Sequence, residues 1–148
     1  MVLIKSQGPG DLKVIDLPEP TPKPNQYLVQ VHAAATNFFD LLQIRGKYQH
    51  QPPLPWVSGS EFSGIILEVP QQSAGKTPLY KKGDRVFGAA QGAYATKICA
   101  EEERLRPMPK GWGFFESAGL MVTAPTSYAG LVTRAGVKNG TTYSAQTL

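Results

Sequence analysis

The chain has 148 residues, 41% of them apolar, with a formal net charge of +4. That is enough for one domain with a real core, and it excludes a mainly disordered chain. Lys and Arg are spread rather than clustered, so no nucleic-acid face is expected. A single cysteine excludes an internal disulfide and a multi-cysteine structural zinc site.

The N-terminus "MVLIKSQGPGD" lacks the apolar core of a signal peptide, and no stretch nears the roughly 20 apolar residues of a membrane helix. A cytoplasmic protein is therefore expected. Residues 2–5 and 12–17 alternate in polarity around "QGPG" and predict a short hairpin. "PEPTPKPN" (18–25) carries four prolines, which fix φ and donate nothing to a ladder, so it is extended and irregular. "YLVQVHAAATN" (27–37) predicts the strongest strand, with His32 on its polar phase. The period changes at "FFDLLQIRGKY" (38–48). One or two helical turns are expected there, capped by Asn37 and stopped by Gly46.

"HQPPLPW" (50–56) reads as a rigid loop and "FSGIILEV" (62–69) as a buried strand. "QQSAGKTPLY" (71–80) is a loop, Gly83-Asp84 a turn, and Arg85–Phe87 the start of a strand. "AYATKI" (93–98) follows as another strand. Cys99, just after it, reads as a buried structural thiol. Many short strands separated by turn signals imply a mainly β domain with short helices, of distorted-barrel type. From "GFFESAG" onward the pattern turns helical: a short helix over Phe114–Leu120 and a longer one over Thr126–Ala135, ended by Gly136.

Five segments in register resemble the medium-chain dehydrogenase/reductase superfamily. They are "PEPTPKPNQYLVQVHAAATNFFDLLQIRGKY", "GSEFSG", "KKGDRV", "GAYAT" and "TAPTSYAGLVTRAGVKNG". The nearest likeness is to its zinc-free quinone oxidoreductases, the zeta-crystallin-like branch. The resemblance implies a chaperonin-10-like (GroES-like) β-barrel over residues 1–120. Residues 121–148 would be the truncated start of a Rossmann domain plus an atypical tail. It implies hydride transfer from NADPH to a quinone or enone. The zinc enzymes of the superfamily carry a cysteine and a histidine ligand at the positions of Asn37 and Ser60. Neither residue here is such a donor, so no metal is expected.

The resemblance implies catalytic roles for Asn37, Asp40 and Tyr48, and contact with the nicotinamide by Asn37 and Thr126. Asn37 would donate to a substrate oxygen gaining charge. The residues alone read more plainly: Asn37 and Thr126 as helix caps, Asp40 as a first-turn acid. Leu42 stands where a cleft tyrosine is often found, which implies a more apolar pocket. For Ser60 and Glu61, backbone shaping is preferred to catalysis. The tail "TTYSAQTL" has no glycine, and no G-x-G-x-x-G phosphate cradle is present. The chain alone is therefore expected to be inactive and not to bind NADPH well. The alternative is a non-enzymatic binding or dimerisation module, associating through apolar surface on the C-terminal helices. RNA binding, shown by some zeta-crystallin-like proteins, gains little from an unclustered +4.

Overall fold

The structure is a computed structural model describing residues 2–3, 8–70, 77–140 and 142. In the central strand β3 (Gln26–Ala35), three consecutive residues after the first, Tyr27, Leu28 and Val29, are buried. A strand buried on both faces has to be apolar at successive positions, and the alternation resumes where one face opens, at Gln30, His32 and Ala34. β3 pairs antiparallel with β5 (Glu61–Glu68) on one side and β7 (Lys97–Glu101) on the other. β6 (Arg85–Ala89) and β8 (Leu105–Pro107) extend the sheet to the order β7-β3-β5-β6-β8. A second sheet holds β1 (Val2–Leu3) between β2 (Leu12–Lys13) and β4 (Trp56–Val57).

This is the mainly β architecture expected, with the qualification that the large sheet is not closed: β7 and β8 are its edges. The β1–β2 pairing agrees with the predicted hairpin. Its residues 4–5, the loop 71–76, and residues 141 and 143–148 of the tail lie outside the described residues.

The main core joins Tyr27, Val29, Phe62, Ile66, Tyr80, Val86, Ile98 and Leu105. Its polar edge is satisfied. The Tyr27 hydroxyl donates to Glu102 at 2.6 Å, and the Tyr80 hydroxyl to the Leu105 carbonyl at 3.1 Å. A smaller cluster joins Ile44, Trp56 and Leu12 beneath α1 (Phe38–Ile44). As predicted, α1 begins after Asn37 and stops before Gly46, which takes φ 68°.

The C-terminal segment lies against the sheet through α2 (Phe114–Ala118). The Ser63 hydroxyl donates to the Phe114 carbonyl at 2.6 Å, and the Phe114 ring stacks on His32 at 4.3 Å. On the same ring, the Arg85 guanidinium lies 4.7 Å from the centroid. His32 is thus exposed, as expected, but it is also a packing partner.

Two elements differ from the sequence reading. The strand expected over 93–98 begins only at Lys97. Gly92 takes φ 101°, and the N–H groups of Gly92, Ala93 and Tyr94 turn to the carbonyls of Gly59 and Ser58 instead of a ladder. The last helix starts three residues early. α3 spans Thr123–Tyr128, with Pro125 in its first turn where a missing N–H is tolerated. It runs on as π-wound turns over Ala129–Arg134, and Tyr128, Leu131 and Val132 are exposed. No helix among the described residues is long and apolar enough to cross a membrane.

At Gly64, β5 lies tight against β3. A Cβ there would run into the Gln30 carbonyl oxygen and the Val29 side chain, so the backbones pack without room for a methyl group. Gly10, by contrast, has open space around it. Gly64→Ala is expected to lower unfolding free energy by about 1–3 kcal/mol or more. Gly10→Ala should change it by less than about 0.5 kcal/mol. Urea unfolding of both variants checks the contrast.

Candidate functional site

The chain turns from β3 into α1 at Thr36–Asn37, and three polar residues of this corner are buried. Asn37 is 8% exposed, Asp40 2% and Glu61 1%. Asn37 and Asp40 form a capping box. The Asn37 N–H donates to Asp40 Oδ2 at 2.8 Å, and the Asp40 N–H lies 3.1 Å from the Asn37 carbonyl oxygen.

Asp40 takes two further donors from outside the helix. The Ser60 hydroxyl donates to Oδ1 and the Tyr94 hydroxyl to Oδ2, both at 2.9 Å. Glu61 is the second buried carboxylate. Its Oε1 accepts from Asn37 Nδ2 at 2.9 Å, and its Oε2 from the main-chain N–H groups of Met121 and Val122 at 3.1 and 3.0 Å. The Asn37 amide therefore sits between two carboxylates, each held by donors from several parts of the chain.

The "GSEFSG" segment is shape and hydrogen bonding. Gly59 takes φ 93°, and a Cβ there would strike the Tyr94 ring and its main-chain nitrogen, so only glycine lets that ring lie against the turn. Burial, followed by the hydrogen bond to Asp40 and the negative fields of Asp40 and Glu61, pushes the Tyr94 hydroxyl well above the usual tyrosine range. It is a donor that stays protonated, and a poor acid.

A cleft of about 460 Å³ opens beside this corner. Leu12, Phe38, Leu41 and Ile44 give it apolar walls, and Asn37, Asp40 and Tyr94 its polar end. Of the residues named from sequence, the structure brings Asn37 and Asp40 together here. Tyr48 is not among the lining residues. It packs on the other phase of α1, its ring 5.4 Å from that of Phe39. Thr126 stands in the exposed part of α3 and donates its hydroxyl proton to the Val122 carbonyl at 3.0 Å. It sits within the helix, so the capping role is corrected. A larger groove of about 970 Å³ runs between residues 14–20 and 91–99. None of Asn37, Asp40, Tyr48 and Thr126 lines it. Cys99 borders it, half-buried, with its thiol pushed up by burial and by the charge of Glu68.

Tyr94 was not singled out from the sequence. Its only signal was the "GAYAT" motif, whose partner Asp40 lies 54 residues away.

Comparison with known proteins gives a consistent result. The alcohol dehydrogenase GroES-like domain matches residues 23–135. The chain is 36% identical over 120 residues to a quinone oxidoreductase-like protein 2 homolog of Nematostella vectensis, covering 80% of this chain and 32% of that one. It is 34% identical over 136 residues to the quinone oxidoreductase of Pongo abelii, covering 90% and 40%. Among solved structures, the Escherichia coli quinone oxidoreductase in complex with NADPH superposes with a TM-score of 0.78. It shows 28% identity and covers 90% of this chain and 40% of that one. The chain thus spans about a third to two-fifths of the length of the curated relatives it matches.

The tyrosine shifts set an alkaline limit on stability. Tyr94 is raised, and Tyr27 is pushed up to about 12 by burial and then by its bond to Glu102. Raised values keep both hydroxyls protonated in the fold after the unfolded chain has begun to ionise near pH 10. Their contribution is complete below pH 10 and is lost as pH rises toward the folded values. The urea midpoint should therefore fall above pH 10. Tyr94→Phe should lower stability at pH 7 by about 1–2 kcal/mol, through the lost hydrogen bond to a carboxylate. It should also make the alkaline fall shallower.

Proposed function

The chain belongs to the alcohol dehydrogenase GroES-like domain family, within the medium-chain dehydrogenase/reductase superfamily, and from that premise we propose that it is the substrate side of an NADPH-dependent quinone or enone reductase. Residues 1–120 supply the substrate cleft, and 121–148 begin the nucleotide-binding part. The observation that carries this reading is the Asn37 amide, fixed at the polar end of an apolar cleft by buried partners. One of its two amide protons goes to Glu61. The second is the donor we assign to a carbonyl oxygen of the substrate. A flat, mostly apolar ring with a carbonyl edge suits such walls. Asp40 acts through Asn37 and not on the substrate, since its oxygens hold Asn37, Ser60 and Tyr94.

We assign no metal. At position 60 the side chain is a hydroxyl donating to Asp40, and at 37 it is an amide donating to Glu61. Neither presents a thiolate or imidazole. NADPH, when bound, supplies the hydride. The residues in hand fit only its nicotinamide end, because the sequence has no G-x-G-x-x-G to cradle the phosphates. Thr126, exposed and with its proton given to Val122, keeps acceptor capacity on its oxygen and would accept from the carboxamide. Tyr48 is retained as a more distant wall of the substrate path through its packing on Phe39.

A second reading, association through apolar surface, rests on the exposure of Phe115, Tyr128, Leu131 and Val132. Sedimentation of the chain would show it as a concentration-dependent oligomer.

The substrate reading is tested with duroquinone, whose ring is fully substituted and does not add to the Cys99 thiol. The full chain is expected to bind it by equilibrium dialysis. Asn37→Ala should weaken binding about five- to tenfold, the worth of one hydrogen bond. Equal affinity in wild type and Asn37→Ala would overturn the assignment.

A further inference from the structure

Glu61 has an arrangement that a scaffold residue does not require. Glu61 is 1% exposed, and its three hydrogen-bond partners among the described residues are neutral N–H groups. The two oxygens face different parts of the chain. Oε1 takes the Asn37 amide at the β3–α1 corner, and Oε2 takes the Met121 and Val122 N–H groups just before α3. Val122 in turn accepts the Thr126 hydroxyl. A continuous hydrogen-bonded path thus joins the cleft donor to the C-terminal helical segment, with Glu61 as its only ionisable member.

We propose that Glu61 is the positioning residue of the cleft: its carboxylate locks the Asn37 amide nitrogen inward and couples that orientation to the docking of residues 121–122. A carboxylate is an acceptor on both oxygens, so it can face two sets of donors at once. A carboxamide cannot. Whichever way a glutamine at 61 turns, its NH2 meets N–H donors, either those of Met121 and Val122 or that of Asn37. In the second case the Asn37 amide must turn over and present its oxygen inward. The state of the α3 segment therefore regulates whether Asn37 offers a donor to the cleft, and the reverse holds by linkage. The inference rests on the substrate reading above and adds a control on the same site.

The test is amide exchange and side-chain NMR on the full chain, without substrate. In Glu61→Gln, one of two changes is expected: exchange at Met121 and Val122 quickens about tenfold or more, as for loss of a bond to a charged group, or the Asn37 side-chain NH2 resonances move. The strand amides of Val29 and Ile66 should keep their wild-type rates. Asn37→Ala provides the reciprocal arm, and carries the test should Glu61→Gln not fold. It should change exchange at Met121 and Val122 about fivefold or more. Unchanged signals at both ends would overturn the proposal. So would a uniform quickening across all amides, which marks a residue that only holds the fold. Because neither readout involves a quinone, failure of duroquinone to bind would count against the substrate reading and leave the Glu61 coupling to be judged separately.

Discussion

The corner around Asn37 is governed by one constraint: two carboxylates, Asp40 and Glu61, are buried on either side of Asn37, and among the described residues their hydrogen-bond partners are all neutral donors. Burying a bare carboxylate costs far more than any single contact returns. Each therefore has to collect several donors, and neither can do so locally. Asp40 draws on its own helix cap, on Ser60 and on Tyr94. Glu61 draws on Asn37 and on the start of the C-terminal helices. Polar satisfaction, more than apolar contact, is what brings these four stretches together, and each hydrogen bond to a charged group contributes about 1.5–3 kcal/mol.

The glycines of this region make sense on the same terms. Tyr94 reaches Asp40 only because Gly59 leaves space for its ring, and β5 lies close to β3 only because Gly64 has no side chain. The backbone is brought in tightly so that short side chains can meet. Ser60 and Glu61 then project from adjacent positions to different targets, one to Asp40 and the other to Asn37 and residues 121–122. Ser60 stands just before β5 and Glu61 is its first residue, so the entry to one strand serves both ends of the corner.

What the sequence disclosed was local. The Asn37 cap, the stop at Gly46, the Gly83-Asp84 turn before β6 and the buried run of β5 each follow from a few neighbouring residues, and the structure has all of them. What it hid depends on distant partners. Tyr94 sits in a stretch that alternates like a strand, but its N–H is claimed by the Ser58 carbonyl and its hydroxyl by Asp40. No window of ten residues contains that information. Thr126 differs for a related reason: Pro125 lies in the first turn of α3, where a missing N–H interrupts nothing, so the helix begins at Thr123 and Thr126 falls inside it. The predicted barrel is likewise a statement about closure, which the edges at β7 and β8 decide and no strand reveals alone.

The competing readings of Asn37, helix cap and substrate donor, turn out to use different atoms. The cap's contacts at hydrogen-bond distance are made by main-chain atoms: the Asn37 N–H donates to Asp40 Oδ2 and the Asn37 carbonyl accepts from the Asp40 N–H. The side-chain nitrogen is left with two protons, of which Glu61 takes one. A cap therefore does not exhaust the residue, because its main-chain atoms serve the helix while its side-chain nitrogen serves Glu61. Aspartate at 37 would cap equally well but would bring a third carboxylate to Asp40 and Glu61 with no proton to share. Asparagine is the cap that can live between two buried acids, and that same property keeps a carboxamide at the polar end of an apolar cleft.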